Sequence, residues 1–164
     1  MIRQCSLQDD DIVRQIWSLQ HIAYRIEAEL IGVKELPPLM DTLESLRRCG
    51  ETFYAEFDED DEIQGVVAVE CEQPGTLTIS RMMVHPAYAR QGIGSHLLEH
   101  VFSRYPDVPL YIVSTGTRNE PAVKLYRKQG FQPVEAFEVT PGVELTTFHR
   151  HNVDRTIASA GEVH

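Results

Sequence analysis

Residues 84–95 read Val84-His85-Pro86-Ala87-Tyr88-Ala89-Arg90-Gln91-Gly92-Ile93-Gly94-Ser95. Before them, 76–84 alternates apolar and polar residues. After them, Ile93, Leu97, Leu98, Val101 and Phe102 recur at helical spacing. The stretch therefore predicts a strand, a glycine-containing turn and a helix that ends before Pro106. The first amides of a helix have no partner within it and attract an anion, and glycine lets a ligand approach the backbone closely. A pyrophosphate fits such a turn, although a tight reversal alone would use the same two glycines. A Walker A loop is excluded because no lysine follows Gly94. A dinucleotide fingerprint is excluded because His96 and Leu97 stand where a third small residue belongs, and Ile112 stands about 20 positions on, where an acid is needed.

Upstream, residues 2–5 predict a short strand, and Ser6 with Asp9 forms an S-x-x-D helix start in which the serine caps free amides. Ile12, Ile16, Leu19, Ala23, Ile26 and Leu30 keep to one face of the helix that follows, and 32–38 breaks it. A second helix over roughly 39–49 carries Leu39, Leu43 and Leu46 and stops at Gly50. Period-two runs at 52–57, 63–72 and 76–84 predict an antiparallel meander.

Downstream, 109–114 is a continuous apolar run, expected of a strand covered on both faces within a parallel pair. Asn119 then caps a helix with Pro121 in its first turn and Gly130 beyond its last, and strands follow at about 131–138 and 143–149. The order is β-α-α-β-β-β-α-β-α-β-β in a single domain over 1–151, with 152–164 expected to form a flexible tail.

Two motifs now stand in register. Asn119-Glu120-Pro121-Ala122-Val123-Lys124-Leu125-Tyr126-Arg127-Lys128-Gln129-Gly130-Phe131 contains every letter of N-x-x-A-x-x-[LF]-Y-x-x-x-G-F. Ala89-Arg90-Gln91-Gly92-Ile93-Gly94 matches both glycines of [RQ]-x-x-G-x-[GA] and departs at its first position, with Arg90 adjacent to supply positive charge. Capping, burial and helix termination explain each residue of the longer motif singly but not their conjunction. In these two stretches the chain resembles the GNAT superfamily of N-acetyltransferases.

That resemblance implies an α/β (α+β) fold whose mixed, twisted central sheet is splayed between its fourth and fifth strands. It implies acetyl-CoA as cofactor, with the pantetheine arm in the gap against the backbone of Met82, Met83 and Val84. The pyrophosphate would lie on Ala89, Arg90, Gln91, Gly92, Ile93, Gly94 and Ser95, with Asn119, Ala122 and Tyr126 completing the cofactor site. An acetyl group would pass to an amine of a small molecule or peptide, and the family commonly forms homodimers. A catalytically silent CoA-binding sensor, or a transferase using another acyl-CoA or acceptor, are the alternatives.

The chemistry needs an uncharged amine, a donor for the developing oxyanion and a proton for the departing thiolate. An alkyl ammonium, with a pKa of about 10.4, must lose its proton before it attacks. A backbone amide at Val84 or Met83 suits the oxyanion. By the resemblance, Tyr126 suits the sulfur. For the base, alternation puts Glu70 and Glu72 on one strand face, and these are the catalytic carboxylates expected here. Tyr24, Glu27 and Glu29 lie on the first helix near the loop that, by the resemblance, commonly forms the acceptor side, and any of these could serve as the base instead; Ser114 and Thr115 lie near the splay. Arg81 either receives an acceptor carboxylate as a bidentate pair or bonds Glu70 or Glu72 across the hairpin.

The 164 residues carry 25 acids and 15 Lys plus Arg, for a net charge of −10, which disfavours nucleic acid and anionic membranes as partners. The acidity is uneven: 1–72 holds 17 acids and 6 bases, whereas 73–134, with both motifs, holds 3 acids and 7 bases. No apolar run approaches a membrane span and the N-terminus lacks a signal core, so a cytoplasmic protein is expected. Cys5, Cys49 and Cys71 show no C-x-x-C spacing and are expected as reduced, mostly buried thiols; no metal site is expected, His96 and His100 forming a solvated pair.

Overall fold

Seven strands join one mixed sheet in the order β1-β2-β3-β4-β5-β7-β6, in a computed structural model that describes residues 1–152. The strands are β1 (Ile2–Cys5), β2 (Thr52–Phe57), β3 (Ile63–Glu70), β4 (Thr76–Val84), β5 (Leu110–Gly116), β6 (Gln132–Thr140) and β7 (Val143–His151). The helices are α1 (Asp10–Ile31), α2 (Leu43–Arg47), α3 (Ile93–Arg104) and α4 (Glu120–Lys128), and 3-10 turns occupy Pro37–Met40 and Pro86–Tyr88. The element order matches the sequence expectation. Among the described residues no helix is long and apolar enough to cross a membrane. Apart from Asn152, the expected tail lies outside the described residues.

Alternation along the strands sends apolar side chains to both faces, which makes two cores. On one face Val13, Ile16 and Leu19 of α1 and Leu46 of α2 pack on Phe53, Ala55, Val66, Ala68 and Met83. On the other, Leu97, Leu98 and Val101 of α3 and Tyr126 of α4 pack on Val67, Val69, Ile79, Tyr111, Val113 and Phe148. Removing this much apolar surface from water, at about 25 cal/mol per Å², is what holds helices to sheet.

All strand pairs are antiparallel except β4 with β5, which run parallel and pair only from Thr76–Leu110 to Ile79–Val113. Beyond that point the two strands separate. The register of β3 on β4 shifts between Ala68 and Val69, leaving Ser80 as the extra residue. A bulge increases local twist. Its extra residue stands where β4 leaves β5.

Several local expectations are corrected. Asp9, not Ser6, caps α1, its carboxylate accepting from the amides of Asp11 and Ile12. The buried stripe of α1 is Val13, Ile16, Leu19, Gln20, Ala28 and Ile31, while Ile26 and Leu30 are 42% and 43% exposed. The second helix shortens to a 3-10 turn and one five-residue helix, because Pro37 and Pro38 favour a tight turn and the capping box of Thr42 and Ser45 starts the helix only afterwards. Strand β3 ends at Glu70, so Glu72 lies outside it. Strand β5 is not covered on both faces: Tyr111 and Val113 are buried while Ser114 is exposed. Cys71 is exposed, and Cys5 and Cys49 are half-buried. His96 is exposed, with Nδ1 3.8 Å from Glu56, but His100 is half-buried with its ring centroid 5.0 Å from that of Tyr54.

Candidate active site

Where β4 parts from β5, β4 presents an open backbone edge. The Met82 N–H points into the gap, toward the Tyr24 hydroxyl at 3.4 Å, and the His85 N–H bonds back to Gln64 at 2.9 Å on the β3 side. Backbone direction alternates along a strand, so Val84 shares the open side with Met82. Met83 faces β3 with its backbone and the α1 core with its side chain. Of the three residues expected to offer their backbone, Met82 and Val84 present it and Met83 does not.

Two cavities occupy the gap. One, of about 230 Å³, lies between Tyr24, Glu27 and Ile31 of α1, Ile79–Met82 of β4, Val113–Gly116 of β5 and Asn119, Ala122 and Tyr126 at α4. The other, of about 300 Å³, runs along Met82–Val84 to Pro86 and Ala89, walled by Ile26 and Leu30 on one side and Pro121, Ala122 and Leu125 on the other. Tyr24, Glu27, Met82, Asn119, Ala122 and Leu125 line both. The exposure of Ile26 and Leu30 thus has a structural reason: they form the apolar wall of this groove. Gly116 allows α1 to lie over the opening, since a Cβ there would run into Ile31.

At the far end of the second cavity the chain turns through Ala89–Gln91 into α3. Arg90 and Gly92 both adopt positive φ, 65° and 80°, and Gly92 is the N-cap with no side chain bonding the helix amides. The amides of Ile93, Gly94 and Ser95 therefore start the helix without intrahelical partners, as an anion site requires. A Cβ on Gly92 would meet nothing nearer than His96 at 3.9 Å. Gly94 differs. A Cβ there would come within 2.9 Å of Leu125 Cδ2, so this glycine seats α3 against α4. An open strand edge, an apolar groove and free helix amides in sequence fit the extended, pyrophosphate-bearing shape of acetyl-CoA.

Tyr126 is 4% exposed, and its ring packs edge-on against Phe131 at 5.7 Å and tilted against Phe148 at 6.2 Å. Among the described residues its hydroxyl makes no hydrogen bond, although it lines the first cavity. Burial, then the nearby Tyr24 and Glu27, push its pKa upward, so it stays protonated at neutral pH. Asn119 caps α4 through Oδ1 to the Ala122 amide at 3.3 Å. Ser114 contributes to the cavity wall, but its hydroxyl is shared with Thr147 at 2.9 Å.

The carboxylates separate sharply. Glu27 lines both cavities, and Thr115 donates to its Oε1 at 3.0 Å. Glu70 lines neither. It borders a separate hollow with Pro37, Pro38, Asp41, Glu51, Ser80 and Arg81, where burial and then the hydrogen bond to Glu72 raise its pKa. Glu29 is exposed, as is Glu72. The expected pair Glu70 and Glu72 is not brought into the gap, because β3 ends before Glu72 and Glu70 lines neither cavity there.

Arg81 pairs with neither of those two. It forms a bidentate pair with Glu51, both bonds 2.9 Å, and donates through Nη1 to Asp41 at 2.8 Å and to Gln20 Oε1 at 2.6 Å. Gln20, fully buried, donates onward to the Pro38 carbonyl at 2.7 Å and to Asp41 at 3.0 Å. Four of the five guanidinium N–H groups are thus engaged within the protein, which leaves little for an acceptor carboxylate. Sequence reasoning missed Gln20, Asp41 and Glu51. The one available signal was a glutamine at 20, seven residues after Val13 and four after Ile16, in the buried phase of α1.

Comparison with known proteins gives a consistent result. Residues 49–133 match the family model described as an acetyltransferase (GNAT) domain. The chain is 34% identical over 149 residues to the UPF0157 protein YqkA of Bacillus subtilis, covering 91% of this chain and 43% of that protein. It is 32% identical over 79 residues to the peptidyl-lysine N-acetyltransferase YiaC of Escherichia coli, covering 48% of this chain and 49% of that one. It thus spans less than half the length of these curated relatives. The crystal structure of the ribosomal-protein-S18-alanine N-acetyltransferase from Escherichia coli has the same fold, with a TM-score of 0.70 at 17% identity over 92% of this chain and 94% of that one.

Proposed function

The chain belongs to the GNAT acetyltransferase family, and from that premise we propose that it moves an acetyl group from acetyl-CoA to an amine by direct attack on the thioester. The observation that carries the proposal is the opening of the sheet between β4 and β5, lined by Tyr126, whose hydroxyl is unpaired among the described residues. Acetyl-CoA, when bound, supplies an activated acetyl group as a thioester. Every other requirement falls to side chains and amides of this chain.

The Met82 and Val84 edge binds an extended arm as an added strand would be bound, Tyr24 giving up its contact with the Met82 amide. Ile26 and Leu30 on one wall and Ala122 and Leu125 on the other exclude water from that arm. The free amides of Ile93–Ser95, with Arg90 close by, meet two phosphates. A β4 amide facing the gap, at Val84 or Met82, stabilises the carbonyl oxygen as it becomes negative; one such donor contributes about 3–4 kcal/mol to a transition state. Tyr126, kept protonated by burial, donates its proton to the departing sulfur.

The acceptor enters from the Leu36 and Pro38 side, where Arg81 is already saturated by Glu51 and Asp41. That surplus of acid favours a cationic amine, on a small molecule or a peptide, over an acceptor recognised by its carboxylate. Release of CoA thiol from acetyl-CoA, measured across a panel of amines, amino acids and peptides with wild type and Tyr126→Phe, tests the reading. A fall in turnover of about 10²-fold with unchanged acetyl-CoA affinity is expected, the scale typical of general acid catalysis. Acetyl-CoA binding without thiol release from any acceptor would favour a CoA-sensing module instead.

A further inference from the structure

Glu27 is the one carboxylate among the residues lining the two cavities of the gap. It comes from α1, on one side of the sheet. Its partner Thr115 lies on β5 in phase with Tyr111 and Val113, whose side chains belong to the core on the other side. The Thr115–Glu27 hydrogen bond, 3.0 Å between residues 88 apart in sequence, therefore spans the opening between β4 and β5. Thr115 is only 6% exposed, and behind it the Asn119 amide nitrogen lies 3.5 Å from its hydroxyl. Asn119 is itself anchored as the cap of α4. The order Asn119, Thr115, Glu27 thus joins the start of α4, the free end of β5 and α1. It consumes one carboxylate oxygen of Glu27.

Resting on the acetyltransferase reading, we propose that Glu27 is the carboxylate that takes the acceptor's proton, and that Thr115 is the positioning residue that holds it at the gap. The alkylammonium N–H bond breaks, its proton passes to a Glu27 carboxylate oxygen, and the freed nitrogen lone pair forms the C–N bond to the acetyl carbon. The C–S bond then breaks, and the thiolate takes the Tyr126 proton; the second proton lost from nitrogen restores Tyr126. The titratable and charged groups facing Glu27 are Tyr24 on its own helix and Tyr126 from α4, with Arg81 in the same cavity from β4 but neutralised by Asp41 and Glu51.

The discriminating variable is the acceptor's own basicity. With an alkylamine of pKa about 10.4, Glu27→Gln should lower kcat by about 10²-fold or more, the scale of a lost general base. With a weakly basic amine already neutral at assay pH, the loss should shrink to a few-fold, and the variant's rate with the alkylamine should climb with pH toward that amine's pKa. Thr115→Val should reproduce part of this pattern and Thr115→Ser should restore it, with the KM for acetyl-CoA unmoved in each. Equal losses with both acceptors, or transfer of the effect to Glu70→Gln, would overturn the assignment.

If wild type binds acetyl-CoA and releases no thiol, the acetyltransferase reading fails by itself and the site is decided by binding. Butylammonium added to the CoA-loaded protein should then shift the amide resonance of Thr115, and Glu27→Gln should abolish the shift. An unchanged shift would overturn the site.

Discussion

At the scale of the residue, two glycines that belong to one motif turn out to have different physical duties. Gly92 has positive φ and open space before it, so a side chain there would enter the space in front of the free α3 amides, the proposed phosphate site. Gly92→Glu should therefore abolish acetyl-CoA binding in calorimetry, since it strains the backbone and sets a negative charge against negative charge. Retained affinity would remove the phosphate site from this turn. Gly94, by contrast, is small because Leu125 of α4 lies against it. Both letters of the motif were legible, but their separate reasons were not, because the second depends on a helix that arrives more than twenty residues later. Tyr126 was legible as a motif residue. That its hydroxyl lines a cavity, unpaired among the described residues, depends on the packing of Phe131 and Phe148 around its ring.

At the scale of the element, α1 shows why period alone misassigns a helix of 22 residues. Its first half follows the expected apolar stripe onto the sheet. Its second half passes over the opening, so Ile26 and Leu30 turn to the groove while Ala28 and Ile31 are buried. The polar cluster around Arg81 fastens this arrangement, joining α1 through Gln20, the loop through Asp41 and the start of β2 through Glu51. Arg81→Met should destabilise the fold by about 3–5 kcal/mol in urea unfolding, the usual cost of leaving buried partners uncompensated. Burial tends to raise the Asp41 and Glu51 carboxyls, but Arg81 with Ser45 and Gln20 at the first, and with Ser80 at the second, outweighs it and holds both below the ordinary carboxylate range. A depressed folded pKa contributes stability that is present above the unfolded values of about 3.9 and 4.3 and is lost as pH falls through the folded ones. Thermal unfolding of Arg81→Met below pH 5 should accordingly vary less with pH than that of wild type.

At the scale of the whole molecule, the net charge of −10 conceals a division by position. Residues 73–134 hold seven bases against three acids and supply the open edge, the turn before α3 and α4. Residues 1–72 hold 17 acids and six bases and supply α1 with Glu27 and the acids around Arg81, Asp41 and Glu51. A cofactor drawn partly by charge should bind less tightly as salt rises, since the screening length falls from about 10 Å at 0.1 M to about 3 Å at 1 M. Acetyl-CoA affinity measured across that range should decline; a flat dependence would mean that backbone amides and apolar contact suffice. The sequence by itself determined the order of strands and helices and the place of the glycine turn before α3, because period, caps and glycine spacing are local properties, and its two motifs carried the resemblance to the family. Only the tertiary structure decided which acid lines the gap. Glu27 and Thr115, 88 residues apart in sequence, come together where α1 passes over the end of β5, a contact that no local period encodes. Glu70 lies outside that gap, beside Arg81, whose side-chain partners come from α1, the following loop and the residue before β2 rather than from its own hairpin.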